Sequence, residues 1–243
     1  MISDAKLAAL ATLLQSSELT GLIITLLAYT LAVALFKRSG ANPIVNPVIV
    51  SVIIIISVLL VTGISYEQYF VGGKLVHFLL GPAVVALAIP LYQQIHRIKS
   101  LLLPITITLM CSIFIGAFSA IYLVQWLGGS ELTQLSIAPK STTTPVAMGI
   151  ADNLGGIVSL AAGLAAMTGV IGAIFGTKVF SLVGVKDDSV KGVAMGLTSH
   201  GIGTARAFQV SPTMGAFSGL AMALTACVTA ILLPLILAFF NFI

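Results

Sequence analysis

The sequence predicts an all-α, polytopic membrane protein with about seven to eight membrane-embedded segments, some of them discontinuous. The first observation is composition: charged residues make up 7% of the 243 residues, and hydrophobic residues make up 58%. A soluble domain carries about 25% charged residues. The second observation is spacing, because stretches such as 100–130 and 207–243 carry no charge. A membrane-spanning helix needs about 20 apolar residues, which these stretches supply.

The same composition excludes several classes of protein. So little charge cannot cover a soluble enzyme, a disordered chain or a nucleic-acid binder. A transmembrane β-barrel would alternate in polarity, whereas 48–60 is apolar on every face of a helix or strand. Cys111 and Cys227 are isolated in apolar runs, and no metal, cofactor or catalytic motif is found. We therefore expect a single membrane domain, 1–243, that is not an enzyme.

Uncharged runs predict most of the embedded segments, 131–152 and 191–209 are polar-interrupted, and short loops separate the segments. The first run ends at Lys37 and Arg38 without a small-residue cleavage site, which favours a retained helix over a signal peptide. The predicted segments are 19–36, 45–63, 75–92, 101–127, 131–152, 157–181, 191–209 and 215–240.

Basic loops predict how these segments cross. The positive-inside rule places the loops around Lys37, Arg97 and Lys186 on one side of the membrane. That is possible only if 131–152 does not cross simply, so we expect a re-entrant hairpin or a pair of half-helices there. Residues 45–127 and 157–240 then form repeat-like halves of opposite orientation, an inverted repeat typical of transporters.

Each half has an interrupted middle segment, which is a pointer to a binding site near the membrane midplane. In the first half the interruption is Gly81-Pro82, followed by Pro90. In the second it is the run Ser199-His200-Gly201-Ile202-Gly203-Thr204, where Gly201 and Gly203 permit the helix to unwind.

The first polar stretch within the embedded region lies between Pro139 and Pro145. Proline ends an arriving helix and starts a new one, so backbone N–H groups are freed beside the side chains. Helix N-termini, hydroxyls and an ammonium are ligands for an anion. The alternative is an exposed polar loop with a snorkelling lysine. The candidate binding residues are Lys140, Ser141, Thr142, Thr143 and Thr144.

The second polar stretch ends at Arg206, which precedes the longest uncharged run. An intramembrane cation is costly and usually marks a site, and arginine grips a carboxylate with two hydrogen bonds. His200 can carry or sense a proton. The alternatives are an interfacial snorkelling arginine and a neutral, hydrogen-bonded packing histidine. The candidate binding residues here are Ser199, His200, Thr204 and Arg206.

These stretches carry a family resemblance. The segments Ala138–Pro145, Asn153–Gly156 and Ser199–Arg206, together with 46–48, 63–69, 72–74 and 80–92, resemble the LrgB/CidB family of bacterial inner-membrane proteins. The resemblance covers roughly 20–235. It implies one of two functions: transport of small monocarboxylates, as by the plastid glycolate/glycerate relatives, or a holin/antiholin-like role in murein hydrolase export and autolysis.

From the residues we expect the transporter, because a pore needs an amphipathic lining helix and not two broken polar sites. The resemblance implies that the substrate is a glycolate-, glycerate-, pyruvate- or lactate-like anion. We expect a secondary transport mechanism that can couple to protons. The resemblance also implies a separate, small LrgA/CidA-like membrane partner in the bilayer. We further expect a homo-oligomer, most simply a dimer, with no nucleic-acid partner.

Overall fold

A computed structural model of the chain describes residues 19–79, 82, 85–86, 88–93, 95–240 and 242. All regular elements in these residues are helical, which confirms the all-α class. The described residues include four helices that are long and apolar enough to cross a membrane: Thr20–Arg38, Leu102–Trp126, Val158–Leu182 and Pro212–Phe239. The chain packs as two compact units, residues 1–86 and 87–243.

In the first unit, capping residues mark where two of the helices begin. Asn46 accepts a hydrogen bond from the Val48 N–H at 2.8 Å, and Pro47 takes the first helical position of the second helix. Ser65 and Gln68 form a reciprocal capping box at the start of the third. The helices are α1 (Thr20–Arg38), α2 (Pro47–Thr62) and α3 (Tyr66–Phe78), with a 3-10 turn at Pro43–Val45.

The second unit contains three long crossing helices and a set of shorter elements. They are α4 (Ala88–Gln93), α5 (Ile95–Ser100), α6 (Leu102–Trp126), α7 (Glu131–Ile137), α8 (Thr144–Asn153), α9 (Val158–Leu182), α10 (Asp188–Val210) and α11 (Pro212–Phe239). Leu109, Leu197 and Phe217 join α6, α10 and α11 in one buried apolar cluster. Glycines let α10 approach α11 closely, since a Cβ on Gly196 would overlap the Ser218 carbonyl oxygen.

Residues 131–153 form what we call the first fold-back. α7 has 7 residues and α8 has 10, so they measure about 10 and 15 Å, well short of the roughly 30 Å hydrocarbon core. The Ile157 N–H, just after α8, donates to the Ser136 hydroxyl in α7 at 2.7 Å. Between the two helices, the Ser141 hydroxyl lies 3.4 Å from the Cβ position of Gly116, near the middle of α6. The segment therefore enters, reaches the level of mid-α6 and returns.

Residues 188–210, all within α10, form the second fold-back. The helix is interrupted at His200, whose φ is 38° and ψ is −131°. Met195 before the break and Ala207 after it lie in one buried cluster. The Ser211 hydroxyl donates to the Asp188 carboxylate at 2.7 Å, so the two ends of the segment meet. The chain reverses at His200 and leaves on the side from which it came.

Helix α5, which precedes α6, and the start of α10 lie at the same end of the second unit. Arg97 Nη2 is 2.7 Å from Asp187 Oδ2 and also donates to the Ser189 hydroxyl at 3.2 Å. The hydroxyl and then the backbone N–H of Ser189 hold the pKa of Asp187 below its ordinary value, so the carboxylate stays ionised beside Arg97. Because α6 and α9 both cross between α5 and α10, the arrangement agrees with the expectation that 131–152 does not cross.

Several sequence-based segments correspond to helices, and one is corrected. Helices α1, α2, α6, α9 and α11 match 19–36, 45–63, 101–127, 157–181 and 215–240. Gly81 lies outside the described residues, and Pro82 is exposed in helical backbone. The expectation that 191–209 crosses the membrane is wrong, because the ends of α10 meet at Asp188 and Ser211. The half 157–240 thereby loses its middle crossing.

Single-cysteine labelling tests this topology. We expect Cys residues introduced at Lys186 and Val210 to react with an impermeant maleimide from the same side, because both flank the second fold-back. A Cys at Glu131 should react only from the opposite side, since α9 crosses between them. All three positions are exposed, and Cys111 and Cys227 are first replaced by alanine.

Labelling of the 186 and 210 variants from opposite sides would show that α10 crosses. In that case the fold-back would be wrong.

Candidate functional site

The turn of the first fold-back is built as the two prolines predict. Pro139 follows α7, and Pro145 is the second residue of α8. Between them the Lys140 N–H donates to the Ile137 carbonyl at 3.0 Å, and the Thr142 N–H donates to the Pro139 carbonyl at 3.1 Å. The chain thus makes a tight turn at the depth of mid-α6, and it presents consecutive polar side chains there.

Those side chains are not an exposed polar loop. Lys140 is half-buried, and its Nζ donates to the Ser141 hydroxyl at 3.2 Å. Thr142 is 1% exposed, and its hydroxyl has no hydrogen-bond partner among the described residues. Thr143 and Thr144 are half-buried at the start of α8, where Thr143 makes no side-chain cap. Burying a hydroxyl without a hydrogen-bond partner costs about 1–3 kcal/mol. A polar ligand group that bonded to the Thr142 hydroxyl would remove this cost.

A small cavity lies beside this turn, between α6, α10 and α11. Its volume is about 10 Å³, room for roughly one water molecule. Ser112 and Thr225, which line it, sit near the middle of α6 and α11. The cavity is therefore at the middle of the crossing helices, the level at which transporters bind their cargo. The lining residues are Ser112, Ile113, Ala117, Ala138, Pro139, Ser141, Thr142, Leu197, Thr225, Thr229 and Leu233.

Three of the cavity's hydroxyl groups were not anticipated from the sequence. Ser112 lies on α6, and Thr225 and Thr229 lie one turn apart on α11. Thr225 donates its proton to the Ala221 carbonyl at 2.7 Å. Thr229 is 5% exposed, and no partner is found for its hydroxyl in the described chain. A usable signal was present, because hydroxyls four residues apart share one helix face within a long uncharged run.

The break of the second fold-back packs against α9. His200 Nε2 lies 2.8 Å from the Ala165 carbonyl oxygen, and since a carbonyl only accepts, Nε2 carries the proton. Glycine makes room for the ring: a Cβ on Gly169 would lie 2.6 Å from His200 Cε1. Positive φ at a non-glycine residue costs about 1–3 kcal/mol. This is the geometry of a hydrogen-bonded packing histidine.

Of the two glycines after the break, Gly203 has a packing role in the structure. The reversal falls on His200 itself, one residue before Gly201. Gly203 faces the first half of α10, where a Cβ would lie 3.0 Å from Met195 Cγ and would overlap Ser199 Cβ. The sequence predicted that the helix unwinds at Gly201 and Gly203, whereas the structure shows the non-helical dihedral angles at His200.

The other candidates of the second stretch make local contacts. The Thr204 hydroxyl donates to the His200 carbonyl oxygen at 2.7 Å and shares a hydrogen bond of 2.8 Å with the Ser218 hydroxyl of α11. Ser199 is buried. Arg206 is half-buried, its Nη1 donates to Gln209 Oε1 at 3.0 Å, and its Nε is buried without a partner in the described residues.

The structure thus brings together part of the predicted site. Ser141 and Thr142 of the first stretch share the cavity with Leu197, three residues before His200. Ser199 and His200 pack towards α9, and Thr204 bonds to α11. The expected joint grip of Lys140 and Arg206 on one anion stays a prediction. Among the described residues no group of three or more His, Cys, Asp or Glu is placed to hold a metal ion.

Comparison with known proteins places this architecture in a family. The model of the LrgB-like family matches residues 25–239. The chain belongs to the LrgB-like family. Membership confirms the resemblance carried by the two polar stretches, and the four apolar helices agree with a membrane protein of this family.

Named relatives of this LrgB-like protein come from several bacteria. It is 35% identical to the uncharacterized protein YxaC of Bacillus subtilis over 220 residues, 90% of this chain and 95% of YxaC. It is 34% identical to the holin-like protein CidB of Staphylococcus epidermidis over 82% of this chain and 87% of CidB. CidB of Staphylococcus aureus is 30% identical over 90% of this chain and 95% of that protein. No solved structure matches the chain.

Proposed function

We propose that this LrgB-like protein is a transporter of small monocarboxylates such as glycolate, glycerate, pyruvate or lactate. The observation that supports it is the pair of fold-backs. One turns beside Gly116 of α6, and the other turns beside Gly169 of α9, each near the middle of a crossing helix. Irregular backbone at such depth occurs where it lines a cavity, and broken helices of this kind form the binding sites of secondary transporters.

The fold-backs also suggest a repeat different from the one that the sequence predicted. α6 and α9 each have 25 residues, and each is followed by a fold-back, 131–153 and 188–210. If each helix-plus-fold-back repeat contains one crossing, the second repeat starts on the opposite side of the membrane from the first. Residues 102–153 and 158–210 are then inverted repeats of one plan, a common arrangement for alternating access.

The chemistry at the first turn suits an anion. Lys140 lies next to the cavity, because its Nζ donates to the hydroxyl of the lining residue Ser141. Thr142 offers an unpaired hydroxyl, and the first turn of α8 adds the positive end of a helix dipole. A carboxylate accepts hydrogen bonds from all of these groups. Arg206 remains the candidate for the second cation, and His200 for proton coupling.

An uptake assay tests the proposal. The purified chain is reconstituted in liposomes with and without an LrgA/CidA-like partner, and uptake of radiolabelled glycolate, pyruvate and lactate is measured. We expect saturable uptake that unlabelled substrate inhibits and that liposomes without protein lack. Uptake that rises linearly with concentration, together with leakage of large dyes, would contradict a transporter.

The names of the relatives favour a second candidate function. CidB of Staphylococcus epidermidis, 34% identical, is named holin-like. A holin-like role in murein hydrolase export and autolysis predicts a pore that passes dyes without substrate selectivity. The dye arm of the uptake assay therefore separates the two functions directly.

The proposal also includes the location of the protein, its partner and its oligomeric state. A bacterial inner-membrane location, a small LrgA/CidA-like partner and a homodimer fit a multi-pass protein of this family. Co-expression of the two chains followed by affinity purification and mass determination tests the last two. Elution of a monomer free of the partner would contradict both.

A further inference from the structure

The cavity between the first turn, α6 and α11 contains two unpaired hydroxyls, and one of them, on Thr229, was not among the candidates predicted from the sequence. Thr142 on the turn and Thr229 on α11 are 1% and 5% exposed, and neither hydroxyl has a partner in the described residues. Both line the same space. Two buried, unpaired hydroxyls on different segments around one cavity indicate a third polar group that they are placed to bind.

The protons of these hydroxyls decide which charge that group carries. Lys140 Nζ donates to the Ser141 oxygen, which leaves the Ser141 proton free to be donated. The protons of Thr142 and Thr229 are also unspent. Three donors beside an ammonium favour an acceptor with negative charge. A bare cation would instead meet the positive field of Lys140.

We propose that this cavity is the carboxylate pocket of the protein and that Thr229 is a specificity-determining donor in it. A volume of about 10 Å³ accommodates one oxygen-sized group. In the described arrangement the pocket holds one carboxylate oxygen, which accepts hydrogen bonds from Ser141, Thr142 and Thr229. The proposal rests on the proposed function and adds to it the wall formed by α11.

The size of the pocket also assigns a movement to the first fold-back. A whole glycolate does not fit in a volume of about 10 Å³, so the turn that carries Lys140 to Thr142 must withdraw from α6 to admit it. Gly116 permits this contact to form and break, because only the Ser141 side chain approaches its Cβ position, at 3.4 Å. The turn then has two roles: it supplies hydrogen-bond donors to the carboxylate, and its movement admits the substrate.

Thr225 supplies a matched control on the same helix. It lines the same cavity one turn from Thr229, but its proton is already donated to the Ala221 carbonyl at 2.7 Å. We expect Thr229→Val to weaken carboxylate binding about tenfold or more, and Thr229→Ser to restore it, because a hydrogen bond to a charged group is lost and regained. Thr225→Val should change affinity by no more than about twofold.

Binding is measured without transport, by thermal stabilisation of the detergent-purified full chain in glycolate, acetate, and sodium or choline chloride. Loss of stabilisation in Thr229→Val but not in Thr225→Val supports the proposal. Equal behaviour of Thr229→Val and wild type overturns it, and so does stabilisation by sodium alone. If wild type takes up glycolate while Thr229→Val binds it normally, the pocket is wrong and the transporter stands. If wild type binds glycolate through Thr229 but moves none, transport fails and the pocket stands.

Discussion

Lys140→Ala is expected to reduce uptake of small monocarboxylates by about 100-fold or more, because removal of one partner of a buried charge pair costs about 2–5 kcal/mol. Lys140 is half-buried beside the cavity, and its ammonium orients the Ser141 hydroxyl through a 3.2 Å hydrogen bond. The substitution therefore removes a positive charge beside the cavity and also releases the Ser141 side chain. Initial uptake rates in liposomes at equal protein density measure the effect.

Two variants control for structural damage. Lys140→Arg keeps the charge and should retain more uptake than Lys140→Ala, although its planar fork does not reproduce the ammonium geometry. Lys178→Ala removes an exposed lysine from α9 and should leave uptake unchanged. Normal uptake by a monodisperse Lys140→Ala protein would show that this lysine is a snorkelling residue and not part of the site.

Gly196→Ala is expected to destabilise the second unit by about 3 kcal/mol, the upper part of the range for overpacking. A Cβ at this position would overlap the Ser218 carbonyl oxygen and lie 2.9 Å from Ala221 Cβ. Both atoms belong to the backbone or its first side-chain carbon, so neither can rotate away. α10 must then move from α11, and the second fold-back loses its main support.

The measurement is the thermal unfolding midpoint of the purified protein, together with its elution profile in detergent. Gly163→Ala is the matched control, because Gly163 is also a helical glycine and its Cβ position meets nothing within 4 Å. That variant should be neutral or slightly stabilised, since alanine favours the helix. A Gly196→Ala protein as stable as wild type would mean that α10 and α11 are farther apart than described.

The crossing helices of the second unit could be predicted from the spacing of the charged residues. Helices α6 and α11 carry no charge, and α9 carries only Lys178, in its last turns, since a bilayer accepts only long apolar stretches with their backbone satisfied internally. The turn at Lys140 was also predictable, because Pro139 and Pro145 act locally. The start of α2 has a local signal too, because Asn46 caps the helix and Pro47 occupies its first position.

The second fold-back was harder to predict. Residues 191–209 have the length and much of the apolarity of a crossing helix, and neither Gly201 nor Gly203 takes the reversal. His200 holds a positive φ because Ala165 binds its ring and the Cβ-free surface of Gly169 accommodates it. Both supports come from α9, so a local pattern contains no signal for them.

The sequence by itself determined that this is a helical membrane protein with two interrupted polar stretches, one of which carries a lysine between prolines. These are consequences of transfer energy and local backbone geometry, which depend on neighbouring residues only. The tertiary structure decided that α10 turns back and that Thr229 joins Thr142 around one cavity. Those features depend on which helix faces meet, and that is settled by packing between residues far apart in the chain.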